Sequence, residues 1–348
     1  MLKKYCLTAI LLLASCISPV SIEFTGQLEH LVVEAEFSNL PNRHYVRLTR
    51  SQPFNTGYNV FVDGARVFIT SVEGEYYEFQ QPTQKSAGYY YAAEGITAIP
   101  GHTYTLHVTT KTQTYQSAPV TVSQTVLLDS IRYEYAEKPF VMEGTSEQVV
   151  MPGYMFSVDY QDPAEGKNYY KWSYKLLFEV DTQPELYEDT EGGPQCPCRA
   201  PKPCCSQCWW PEQGYLPKVL SDRLTNGQFV INEQVFFLPF EKYMGVKLRL
   251  TLQQHNISEA AYEFFRALEE QKQSTGSVVD PPPSEIKGNI YNVANPDEQV
   301  IGFFVASAAA EATTYIVRND IPYEVEAFQY WDDCREKENS IHYAPAGW

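Results

Sequence analysis

LVVEAEF, residues 31–37, decides the fold class. Leu31, Val33, Ala35 and Phe37 fall on one side of an extended chain, Glu34 and Glu36 on the other. A period of two turns one face to a core and one to water, as in a half-buried strand. The same alternation recurs at Tyr45–Thr49, with Val46 and Leu48 facing in, and in TYTLHV from Thr103 to Val108. Between them, NVFVDGARVFIT (residues 59–70) sets Asp63-Gly64 between two apolar runs. That pattern predicts a hairpin, with glycine supplying the positive φ of a tight turn. Tyr76–Phe79, Tyr89–Ala92 and residues 117–123 add further short strands. Roughly seven strands with frequent turns predict an immunoglobulin-like β-sandwich over residues 24–125.

Residues 126–348 read as a second β-rich domain. Ser130–Tyr135 and Tyr154–Tyr160 are strands, QDPAEGKN (161–168) is a polar turn, and YYKWSYKLLFEV (169–180) is a long aromatic strand. An insertion over 181–227 holds an acidic loop, a cysteine cluster and Trp209-Trp210-Pro211. It has little apolar period, so bridges are expected to shape it. Strands resume at Gln228–Ile231 and Gly245–Gln254. A helix over 258–271 follows, with Ser258 as its cap and Ala261, Phe264, Phe265 and Leu268 as an apolar stripe. The proline run after Ser274 holds an extended loop. Val300–Ala310 and Thr313–Arg318 are expected as the final buried strands. The fold class expected is therefore mainly β: two β-sandwich (immunoglobulin-like) domains, the second with a cysteine-rich insertion and one prominent helix.

The N-terminus carries an export signal. Lys3 and Lys4 precede an apolar run from Leu7 to Ala14, broken by Thr8. That run falls short of the roughly 20 residues a spanning helix needs and has the layout of a secretory signal. LASC, residues 13–16, has the lipobox pattern. Residues 1–15 are thus expected to be removed, Cys16 to be lipidated, and residues 16–23 to form a tether. Ser18 stands where aspartate commonly retains lipoproteins in the inner membrane, which favours the outer membrane; a lipid-anchored location at the cell surface is expected. The formal net charge of −17 becomes −19 when Lys3 and Lys4 leave with the signal. Such a surface repels nucleic acid and suits a body tethered above a membrane.

Tyrosine occurs 26 times, a composition that serves both strands and exposed binding surfaces. Of the eight cysteines, Cys6 and Cys16 belong to the signal and lipobox. That leaves Cys196, Cys198, Cys204, Cys205, Cys208 and Cys334, which admit 15 full pairings. Export and the lack of a second clean CxxC or a nearby histidine favour bridges over zinc. One bridge is expected to tie Cys334 to the cluster. Asp159, Asp162 and Glu165 offer oxygen ligands for calcium but lack EF-hand spacing. His102 and His107 face opposite sides of a strand, so they form no zinc pair. No HExxH, GxSxG, P-loop or GxGxxG is present. A carboxylate pair for glycoside hydrolysis is defined by spatial separation and leaves no linear signature. No metal, cofactor or catalytic residue is expected. Trp209 and Trp210, beside the cysteines, are the candidates for an exposed binding surface, the alternative being that they pack over the bridges.

Several stretches resemble the exported lipoproteins of the domain of unknown function 4249 family, common in Bacteroidetes. They are FTGQLEHLVVEAEF (24–37), GHTYTLHV (101–108), NYYKWSYKLLFEV (168–180), Cys208-Trp209, SDRLTNG (221–227) and ISEAAYEFFRALEEQ (257–271). The long run from Ser274 to Phe304 and the tail from Cys334 to Trp348 join them. The resemblance implies a gene neighbourhood with TonB-dependent outer-membrane receptors. It implies a non-enzymatic accessory of such a SusC-like transporter, aiding substrate capture or uptake without the helical-repeat body of SusD-like proteins. The alternative is a free-standing envelope module that binds glycan or protein.

Overall fold

The computed structural model describes residues 29–41, 44–52, 60–83, 86–141, 148–187, 202, 204–214, 218–240, 245–273, 286–321 and 333–348. The export signal, Cys16, the tether, Cys196, Cys198 and the proline run lie outside the described residues. The early strands are β1 (Leu31–Ser38), β2 (Tyr45–Arg50), β3 (Val60–Phe61), β4 (Arg66–Ser71), β5 (Tyr76–Gln80), β6 (Tyr89–Ala92), β7 (Thr103–Thr109), β8 (Thr114–Ser117) and β9 (Val120–Thr121). Then come β10 (Leu128–Val141), β11 (Gln148–Gln161), β12 (Tyr169–Asp181), β13 (Gln207–Gln213), β14 (Lys218–Ser221), β15 (Phe229–Pro239) and β16 (Lys247–Ile257). Helix α1 (Glu259–Gln273), β17 (Ile290–Asn292) and β18 (Ile301–Val317) complete the described elements of regular α or β structure. No described helix is long and apolar enough to cross a membrane.

The protein is mainly β. A 15-stranded sheet runs β13-β12-β16-β18-β1-β2-β6-β5-β4-β7-β8-β17, with β14, β3 and β9 attached beside it, and β10-β11-β15 form a separate sheet. The alternation in β1 acts as expected: Leu31, Val33, Ala35 and Phe37 are buried. Many tyrosines belong to the core. Tyr90, Tyr104, Tyr115, Tyr160 and Tyr170 are among the largest fully buried side chains. The hydroxyls of Tyr90, Tyr104, Tyr115 and Tyr170 reach polar partners, as Tyr90 does in donating to the Val62 carbonyl at 2.7 Å, whereas that of Tyr160 is buried without one among the described residues.

β18 organises the molecule. Its first half pairs in parallel with β1, Val32 opposite Ile301 through Ser38 opposite Ser307. From Ala308 it pairs antiparallel with β16, Ala308 opposite Asn256. Its faces alternate too. Phe304, Ala306 and Ala308 fill the core of the N-terminal strands, while Phe303 and Val305 lie in the core under α1. Gly302 sits at φ +106°, and a Cβ there would lie 2.0 Å from the Val33 carbonyl oxygen, so only glycine permits the close approach of β18 to β1. The stretch expected as two strands is thus one strand of 17 residues. The ladder is also continuous across the expected boundary at 125/126, since a late strand completes the first core.

Two further expectations are corrected. Asp63-Gly64 is a turn, with Gly64 at φ +71°, but not a hairpin: β3 pairs with β2, whereas β4 pairs with β5 and β7. The turn is held by side chains. Gly64 N–H donates to Gln81 at 2.8 Å, and Ser86 donates to the Asp63 carboxylate at 2.6 Å. The insertion is also more regular than expected. β13 and β14 both pair with β12, so backbone hydrogen bonds as well as bridges shape it. The helix starts as its cap requires, with Ala261 N–H donating to Ser258 Oγ at 3.2 Å.

Candidate functional site

The cysteine cluster and the C-terminal tail form one module. Cys208 is bonded to Cys334, Cα atoms 5.8 Å apart, and Cys204 is bonded to its neighbour Cys205. The tail then runs along β13: Trp209 and Ile341 exchange backbone hydrogen bonds of 2.9 Å in both directions. Trp348 donates its indole N–H to Glu179 at 2.8 Å and meets the Trp209 ring edge-on. Of the two readings of Trp209 and Trp210, the exposed surface is overturned and packing is what the structure shows, because both are buried. Successive residues of a strand face opposite ways. Trp210 enters the aromatic core beside β12 and donates to the Cys334 carbonyl at 3.2 Å. Trp209 faces the other way, where Trp348 meets it and where a solvated strand would have left it exposed.

The carboxylates considered for calcium do not converge. Asp159 is buried and accepts from Asn232 N–H and Ser130 Oγ, each at 2.7 Å, and from Arg132. Burial pushes its carboxyl up, but these donors more than offset that and hold it below the usual range. Asp162 accepts from the Tyr170 hydroxyl and from Gly227 N–H at 2.8 Å. Glu165 is exposed on the turn. Asp159 thus ties β10 and β15 to β11, and Asp162 holds the start of β12 and the loop before β15.

A buried polar seam lies where β18 passes from β1 to β16, and it was not legible in the sequence. Lys171, on β12, is 2 % exposed; its ammonium donates to Glu36 of β1 and lies 5.0 Å from the Phe265 ring centroid of α1. His255, on β16, is buried and shares a 3.0 Å hydrogen bond with Ser307 of β18. Gln253, Gln254 and Asn256 beside it are buried too. Asn256 links onward to Asn168, whose own N–H donates to Asp222 at 2.7 Å. Desolvation raises the Glu36 carboxyl, but the Lys171 ammonium bonded to it more than offsets this, leaving Glu36 below the usual carboxylate range. Burial, reinforced by the Lys171 charge, pushes the His255 imidazole down to about 3. His255 is therefore neutral at physiological pH. The run of four polar residues at 253–256, where β16 should alternate, was the one local sign of this seam.

The described surface has its clearest apolar exposure on the three-stranded sheet. Tyr135 and Phe140 of β10, Val149 and Val150 of β11, and Phe229 and Ile231 of β15 are all exposed. Phe140 packs against Phe237 across the sheet, with ring centroids 5.7 Å apart.

No curated protein matches the chain. The profile described as Domain of unknown function (DUF4249) matches residues 17–313, which span the N-terminal strands, the polar seam, α1 and most of β18. The chain therefore belongs to the DUF4249 family.

Proposed function

We propose that this protein is an outer-membrane lipoprotein, anchored at the cell surface through lipid on Cys16, that serves without catalysis as an accessory of a TonB-dependent transporter. On this reading its body is two immunoglobulin-like halves sharing β18, and the three-stranded sheet faces the barrel. The observation that carries the reading is the apolar exposure at Tyr135, Phe140, Val149 and Val150 on the long strands β10 and β11. Phe140 and Val149 are cross-strand partners on one face and Tyr135 and Val150 lie on the other, so both faces at this end of the β10–β11 ladder present apolar side chains. Singly exposed apolar residues are ordinary, whereas such a group marks a contact surface for another protein. The lipobox and the family's expected gene neighbourhood supply the partner class.

The test is an affinity pull-down of the tagged full chain from native membranes in mild detergent, read by mass spectrometry. Stoichiometric recovery of a large TonB-dependent barrel is expected. The double variant Phe140→Asp with Val149→Asp, two cross-strand partners on one face, is expected to lose the barrel while still unfolding in one cooperative transition. Recovery of the lipoprotein alone, with Cys16 acylated, would overturn the reading in favour of a free-standing glycan- or protein-binding module. Trp209 and Trp210, being buried, would not be that module's contact surface.

A further inference from the structure

We propose that Glu73, Glu75 and His102 form a binding site for one divalent transition-metal ion of the zinc class. The three residues come from two turns at one end of the N-terminal sheet. Glu73 and Glu75 flank Gly74 in the turn joining β4 to β5, and His102 ends the turn immediately before β7. The first turn is fixed by Gly74 N–H donating to the Ser71 carbonyl at 3.2 Å and by Glu75 N–H donating to Ser71 Oγ at 3.0 Å. Val72 N–H donating to the Thr103 carbonyl at 3.0 Å joins it to the second. The placement of the ligands thus follows from backbone bonds in the sheet.

The donor atoms lie within 4.8 Å of one another. His102 Nδ1 is 2.9 Å from Glu75 Oε2 and 3.9 Å from Glu73 Oε2. Zinc holds imidazole nitrogen and carboxylate oxygen at about 2.0–2.2 Å, which sets neighbouring donors of a tetrahedron roughly 3.3 Å apart. The two observed separations bracket that value. Tyr77 donates its hydroxyl to the other Glu75 oxygen at 3.0 Å. Such an outer hydrogen bond orients a ligating carboxylate.

Charge points the same way. Among the described residues no lysine or arginine pairs with Glu73 or Glu75; the His102 imidazole is the ion-pair partner of both. Two carboxylates therefore converge on one imidazole, in a chain of net charge −17, with no fixed cation balancing them. A divalent ion would balance both charges. The imidazole selects zinc-class ions over calcium, which takes six to eight oxygens. The side chains of Glu73, Glu75 and His102 are 35, 21 and 30 % exposed, so the site opens to solvent and leaves a coordination position for water.

The test uses the untagged full chain in mild detergent, stripped with EDTA and titrated calorimetrically with zinc chloride. One equivalent is expected to bind and to raise the melting temperature. His102→Gln and Glu75→Gln are each expected to weaken binding by more than the roughly 10–100-fold an outer-shell partner is worth, and Tyr77→Phe by about tenfold. His107→Gln, on the neighbouring strand face, leaves binding unchanged. The exposed Glu73→Gln keeps the test open if another variant fails to fold. Absence of zinc binding, wild-type affinity in the His102 or Glu75 variant, or preference for calcium would each overturn the assignment. None of these outcomes depends on whether a transporter is the partner.

Discussion

The pair Lys171–Glu36 is asymmetric, and its two single variants should differ in cost. The Lys171 side chain is 2 % exposed, whereas that of Glu36 is 44 % exposed. Glu36→Gln removes the counter-charge from a buried ammonium, which keeps only the Phe265 ring face and a neutral amide. Stranding a buried charge in this way costs about 3–5 kcal/mol. Lys171→Met leaves a carboxylate that water already reaches, and the methionine fills the space of the lysine stem beside α1. The loss then approaches that of a surface pair, about 1 kcal/mol, with a further few tenths for the lost ring contact. The double variant removes both charges and should lie within about 1 kcal/mol of the wild type. Urea unfolding followed by tryptophan fluorescence measures these differences as shifts of midpoint at constant slope. If Lys171→Met costs as much as Glu36→Gln, burial of the ammonium is not the controlling quantity and the reasoning fails.

Two other outcomes follow from the same structure. Cys334→Ser opens a bridge spanning 126 positions. Chain entropy puts such a bridge at about 5 kcal/mol, so a loss of about 2–5 kcal/mol is expected in non-reducing thermal melts, and an unchanged melting temperature would refute the staple. The pH dependence should have a component above the carboxylate range. His255, held near 3 in the fold, regains an ordinary pKa of about 6.5 on unfolding. Between those values the unfolded chain binds a proton that the folded chain does not. This contribution is therefore complete above pH 6.5 and falls as pH drops, by up to about 1.4 kcal/mol per unit, or roughly 2 kcal/mol by pH 5. His44, also lowered by burial, adds to the same window. Melts at pH 7.5 and 5 should show a smaller difference for His255→Asn than for the wild type; an equal difference would place the acid sensitivity elsewhere.

Local pattern made the strands legible, and partner choice did not follow from it. The alternation at 31–37 and the apolar face of β16 reappear as the buried faces of those strands because period two depends on the chain's own geometry. Asp63-Gly64 shows where the chain turns, but β3 goes to β2 because turn chemistry says nothing of which strand edge is open. β18 looked like two strands because Glu311 and the threonines interrupt its apolar run; cross-strand pairs with Gln253 and Thr251 accommodate them. Trp209 and Trp210 showed no period because both faces of β13 are covered, one by the main core and one by a tail that arrives more than a hundred residues later. Lys171 and Glu36 carried no sign at all. They are 135 residues apart, and each alone reads as a charge on the open face of a strand.

The seam's position suggests why charge is kept in the interior. At Ser307 and Ala308, β18 leaves one partner strand and joins another, and the surrounding apolar residues are mostly small alanines. A ladder of alanines distinguishes poorly between registers, because a slip of two residues replaces one small side chain with another. Glu36 meeting Lys171, and Ser307 meeting His255, are satisfied in only one alignment. We therefore advance the hypothesis that the seam specifies register more than it adds stability, the best-attested use of buried polar groups. The double variant separates the two roles. If its stability returns while amide spectra of β1 and β18 split into more than one set of peaks, register was the function of the pair. If the spectra stay single, packing alone sets the alignment and the hypothesis falls.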